Sequence, residues 1–138
     1  MDKIVIADEL IFMREDLEGQ LLQRFPWLEQ SDLDNGKEQK DIVPCFVGVG
    51  WFNLISNMFL EIENLYNSLN EPLEKISFYE IKEKQGLLRV YMKNGVTGLQ
   101  EILNKYEILS GQVCEICGEI GELQDGAWTV VVCNDCSL

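Results

Sequence analysis

Four cysteines near the end of the chain constrain it more than any other feature. Cys114-Glu-Ile-Cys117 and Cys133-Asn-Asp-Cys136 are two CxxC pairs separated by 15 residues, a spacing within the range of four-cysteine zinc sites. Each pair can fold as a tight knuckle that aims two thiolates at one point, and Gly118 suits the turn after the first. The insert predicts a β-hairpin. Segments 119–124 and 127–132 are strand-like, Trp128 and Val130–Val132 favour strand, and Asp125-Gly126 is a strong turn signal between them. Four thiolates converging this way make a closed tetrahedral site, with no open position for a substrate. Cys114, Cys117, Cys133 and Cys136 are therefore the expected ligands and Zn2+ the expected ion. Iron in the same cage and a pair of disulfides are the alternatives.

The rest of the chain predicts an α+β fold, with helices packed on a small antiparallel hairpin (1–110) and the zinc ribbon appended (111–138). Asp8 can cap a first helix running to Phe25, with Leu10, Met13, Leu17 and Leu21 at helical spacing. Segment 29–41 is polar and rich in breakers, which predicts an exposed loop. A short apolar extended segment, 42–47, leads through Gly48 and Gly50 into a second helix over 51–69. Its apolar positions (Trp51, Ile55, Met58, Phe59, Ile62, Leu65, Tyr66, Leu69) make it the central helix of the body. Cys45 reads as a small buried hydrophobe. Segments 76–84 and 87–92 predict two strands around Gln85-Gly86. Thr97-x-x-Gln100 matches a capping box opening a third helix that Gly111 stops. Strands and helices come in blocks, which favours α+β over a doubly wound sheet.

Three segments together resemble a family of small proteins from bacteria and their phages for which no activity is established. They are Gly50-Trp51-Phe52-x-Leu54-Ile55, then Ile81-Lys82-Glu83-Lys84-Gln85-Gly86-Leu87-Leu88-Arg89-Val90-Tyr91, and the ribbon Cys114-Glu115-x-Cys117-Gly118-x-x-Gly121 with Trp128 and Cys133. The family pattern runs Gly-Trp-aromatic, then "VKEKFGxLRFY", then a cysteine ribbon. Gln85 replaces the usual aromatic, and Cys136 stands where the family often has histidine. The resemblance implies a phage, prophage or other mobile-element origin.

Charge narrows the function. Eleven basic residues against 24 acidic give a net charge of −13, which disfavours direct contact with nucleic acid, where affinity comes mostly from neutralising phosphates. Segment 110–138 contains Glu115, Glu119, Glu122, Asp125 and Asp135 but no lysine or arginine. The chain has no histidine, so Ser-His-Asp and Cys-His nucleophiles and histidine acid–base chemistry are excluded. The carboxylate pairs Glu61/Glu63 and Glu80/Glu83 lack an obvious partner, and no phosphate loop or dinucleotide fingerprint is present. A cytosolic protein is expected. The apolar start Ile4-Val-Ile-Ala7 is cut off by Asp8-Glu9, and no apolar run approaches a membrane span.

These features favour a non-enzymatic protein-binding module: an inhibitor of a basic, nucleic-acid-handling host or defence protein. The alternatives are an immunity protein neutralising a nuclease toxin, and a nucleic-acid-binding regulator using the basic hairpin 82–93 (Lys82, Lys84, Arg89, Lys93, with Tyr79 and Tyr91). For the leading reading the candidate partner surface is Glu119, Glu122 and Asp125 on the ribbon, with Glu15 and Glu18 on the first helix. Trp128 is the candidate aromatic anchor, its other role being to pack the hairpin on the body.

Overall fold

A computed structural model describes residues 15–31, 40–42, 45–124 and 129–137. The first helix, α1, covers Glu15–Arg24; its expected start at Asp8 lies outside the described residues. Of the expected stripe, Leu21 is buried and Leu17 partly so, while Leu10 and Met13 lie outside the described residues; Phe25, just past the helix, is buried with them. Pro26 then opens a single 3-10 turn, Pro26–Leu28, which folds Trp27 and Leu28 onto the core.

Segment 29–41 departs from the expected loop. Its two ends pair as short antiparallel strands, β1 (Glu29–Ser31) and β2 (Lys40–Ile42), with Glu29 opposite Ile42. The breakers Asp32, Asp34, Asn35 and Gly36 sit between these strands, so the flanking residues can form a ladder. Next comes β3 (Cys45–Phe46), where Cys45 is buried as expected.

The central helix α2 spans Phe52–Ser68 and buries Ile55, Met58, Phe59, Ile62 and Tyr66 along one face. Leu69, just past its end, is exposed. Strands β4 (Phe78–Lys84) and β5 (Leu87–Met92) form the expected hairpin. Both residues of its turn have positive φ, Gln85 at 56° and Gly86 at 83°, as a type I′ turn requires.

The block-like element order concealed one pairing. β3 lies parallel to β4, with Cys45 opposite Ile81, so α2 is the crossover of a β-α-β unit and the sheet order is β3-β4-β5. Two residues are too short a strand to announce themselves by alternation. The overall class is still mixed α+β, with helices packed against an antiparallel hairpin.

Helix α3 covers Leu99–Ser110, but the capping box is not formed. Gly98 occupies the cap position in the left-handed conformation, with φ of 95°, and no side chain caps the helix. The Gln100 amide donates instead to Asn104 at 2.8 Å. After α3, β6 (Glu122–Gln124) and β7 (Val130–Val132) form the C-terminal hairpin. Its strands are shorter than expected, and the Asp125-Gly126 turn lies outside the described residues. Residues 119–121 fold back on 112–114, with Cys114 N donating to Glu119 O at 2.7 Å and Gly121 N to Gln112 O at 2.9 Å. They close the first knuckle before the hairpin begins.

An aromatic group fills the centre of the core. Phe59 meets Phe25 and Trp27 edge-on, both at 5.7 Å between ring centroids, and Phe78 at 5.5 Å. Among the described residues no helix is long and apolar enough to cross a membrane. Phe59→Ala should lower stability by about 3–5 kcal/mol, because a ring-sized cavity opens where neighbouring rings cannot collapse. Leu60→Ala, at an exposed position one residue on, should change it by less than about 1 kcal/mol. Urea unfolding followed by tryptophan fluorescence separates the two.

Candidate metal centre

Two turns of similar construction carry the cysteines. In the first, Cys114 O accepts from Gly118 N at 2.9 Å; in the second, Cys133 O accepts from Cys136 N at 3.2 Å and Ser137 N at 2.9 Å. Gly118 takes φ of 86°, which a side chain would resist. The antiparallel β6–β7 pair returns the second knuckle to the first. All four sulfurs, of Cys114, Cys117, Cys133 and Cys136, then lie within 4.8 Å of one another.

This spacing suits a shared ion. Four sulfurs at about 2.3 Å from a tetrahedral metal stand about 3.8 Å apart. Cys117 and Cys133 approach to 3.5 Å, well beyond the ~2.0 Å of a disulfide bond. The cage can hold a metal ion such as Zn2+, and its donors are all sulfur. Burial pushes the Cys114 thiol up, but backbone N–H groups of Cys117, Cys133 and Ile116 outweigh it and bring the thiol down to about 7. Cys136 is pushed up, by burial first and then by the neighbouring sulfurs. Crowded thiolates repel one another unless a cation joins them.

The first knuckle is also bonded into the body. Gly50 N donates to Glu115 O at 2.8 Å, Gly48 N to Glu115 Oε2 at 2.9 Å, and the fully buried Trp51 gives its Nε1–H to Val113 O at 2.9 Å. A Cβ on Gly50 would stand 2.3 Å from Cys114 O and 2.8 Å from Cys117 N. One on Gly48 would stand 2.3 Å from Glu115 O. Close approach of two main chains, not a turn alone, is what these glycines serve.

Glu115 corrects the charge picture. Counted by sequence among the ribbon's acidic residues, it is only 2% exposed. It acts as a tether to Gly48, and burial pushes its carboxyl up to about 7. Local pattern carries no sign of this role, because the donor that holds the carboxylate is a backbone N–H 67 residues away.

Of the expected partner surface, Glu119 and Glu122 are exposed on the ribbon. Glu15 and Glu18 belong to α1, while Asp125 and Trp128 lie outside the described residues. On the basic hairpin, Lys82 pairs with Glu80 at 3.1 Å and Arg89 with Glu107 at 3.0 Å, so two of its four cations are already partly neutralised. The carboxylate pairs have structural partners too. Glu61 holds Lys105 and Tyr106 of α3, Glu63 accepts from Trp27 Nε1, and Glu83 accepts from Gly86 N.

Comparison with known proteins finds no family, no curated protein and no solved structure that matches the chain.

Gly50→Ala should weaken metal binding by about tenfold or more and lower stability by about 1–3 kcal/mol, because the atoms a methyl would strike are main chain and cannot swing aside. Gly19→Ala, on α1 with open space around it, should instead stabilise by about 0.5–1 kcal/mol. A zinc-competition titration and thermal melts of both variants provide the check.

Proposed function

We propose that the chain is a zinc-stapled, non-catalytic protein that docks on the basic surface of a nucleic-acid-handling protein and occludes it. The observation carrying this reading is the pair of exposed carboxylates, Glu119 and Glu122, on an arm whose two cysteine knuckles meet at one four-sulfur cluster and whose first knuckle is bonded to the body. A divalent ion bound by four thiolates adds a local double negative charge. Such a field speeds encounter with a cationic partner and helps fix its orientation. The acid-rich composition supports the same choice, as does the partial neutralisation of the basic hairpin. Its resemblance to a family of bacterial and phage proteins favours a host or defence protein as target over a toxin, for which the chain would serve as immunity protein.

Zinc is the proposed ion, since all-sulfur tetrahedral sites of this kind are its usual structural setting. Freshly purified protein should contain a single zinc per chain by elemental analysis. Cys117→Ser should lose it, and Cys45→Ser, altering a buried core thiol, should not. Zinc binding in small ribbons is worth about 10–16 kcal/mol in apparent terms. Because the knuckle is bonded to Gly48, Gly50 and Trp51, its loss should lower the melting temperature of the body as well as the ribbon.

The docking reading is tested with immobilised wild-type protein and a Glu119→Lys/Glu122→Lys variant as parallel baits in a host lysate. The expected prey is a basic protein held by wild type, released by added salt, and associating several-fold more slowly with the variant. Equal capture and equal salt dependence by both baits would overturn the role given to the ribbon. Fluorescence anisotropy with labelled DNA and RNA at physiological salt should show no binding.

A further inference from the structure

We propose that the open edge of β5 is a second, separate docking site that takes an extended segment of a partner protein as an added strand. The main-chain geometry points there first. Among the described residues β5 ends the β3-β4-β5 sheet, and Leu88 N donates away from the sheet, to Ser110 Oγ at 2.9 Å. In an antiparallel ladder a residue's N–H and C=O face the same side, alternating along the strand. Val90 and Met92 therefore face outward with Leu88, while Tyr91 faces β4 and Lys93 N reaches Ser77 O at 2.9 Å. Among the described residues no hydrogen bond meets the outward groups of Val90 or Met92.

A groove of about 500 Å3 runs along this edge, between β5 and the beginning of α3. Residues from both faces of β5 line it, Val90 and Met92 from the core side and Tyr91 from the outer side, with Lys93 just past the strand's end. Its far wall is apolar, formed by Leu99 and Leu103. An incoming strand would place alternate side chains against that wall and the intervening ones against Tyr91 and Lys93, as strand addition requires.

Charge identifies the occupant. The chain has 24 acidic residues, yet among the described residues no carboxylate lines this groove. Lys93 lies 5.6 Å from the Tyr79 ring centroid, and no carboxylate of the described residues is within ion-pairing distance of it. Tyr79 beside it is 68% exposed. The occupant is thus an extended protein segment with apolar residues at alternate positions and a carboxylate placed to meet Lys93. Its chemistry is opposite to that of the basic surface proposed for the ribbon, and neither proposal rests on the other.

Linear peptides selected from a display library on the full-length, zinc-loaded protein supply the probe. The selected peptide should show the apolar–acidic alternation and weaken about tenfold on Lys93→Glu. Methylating its alternate amide nitrogens should abolish binding in one register and leave it in the other, a change made in the peptide that cannot unfold the protein. Amide exchange at Val90 and Met92 should be fast in the free protein and slowed by the peptide. Three results would overturn the proposal: amides already protected in the monomeric protein, binding indifferent to the methylated register, or protection arising from dimerisation, which would make a second copy the occupant.

Discussion

Two main chains meet almost in contact where the turn 48–50 passes the first cysteine knuckle, and this approach joins the start of the central helix to the ribbon. Three hydrogen bonds cross it, spanning more than sixty residues of sequence. The same turn fixes the start of α2, since Trp51 N donates to Gly48 O at 3.1 Å. The helix at the centre of the core and the turn carrying Cys114 and Cys117 thus share one foundation. A displacement of either is felt by the other, because close-packed main chain has no rotamer with which to absorb it.

The elements legible from sequence were those whose signal is local and repeated. The stripe on α2, the β4–β5 hairpin and the paired CxxC turns all announce themselves by period or spacing. What escaped was long-range or very short. The two-residue strand β3 has too few positions to alternate, so its parallel pairing with β4 left no trace. Thr97-x-x-Gln100 has the letters of a capping box, but Gly98 between them adopts a conformation that takes over the cap. Gly48 and Gly50 were visible as glycines and their purpose was not, because the atoms that exclude a Cβ belong to residues 114–117.

Acidic composition also proves to be a poor map of acidic surface. Glu115 is buried, Glu61 ties α2 to α3, and Glu63 and Glu83 accept bonds from Trp27 and Gly86. These carboxylates serve the fold. Glu119 and Glu122 are exposed on the ribbon and Glu29, Glu74 and Glu101 on the body, while no carboxylate of the described residues lines the groove beside β5. A net charge of −13 therefore conceals two surfaces of different character, and partners of different chemistry fit them.

The ribbon's own composition explains what an ion shared by its four sulfurs would add. Every position of β6 is exposed, and Ile120, where the first knuckle closes, is 86% exposed. Val131 and Val132 are buried on β7, too little apolar surface to hold a two-stranded hairpin in water unaided. The body has no such need, with α2 and its aromatic neighbours already close-packed. A four-sulfur cage is thus a means of fixing an arm that hydrophobic burial alone would leave loose. It frees the outward residues of that arm from any duty to the core, so their identity can be set by whatever the arm contacts.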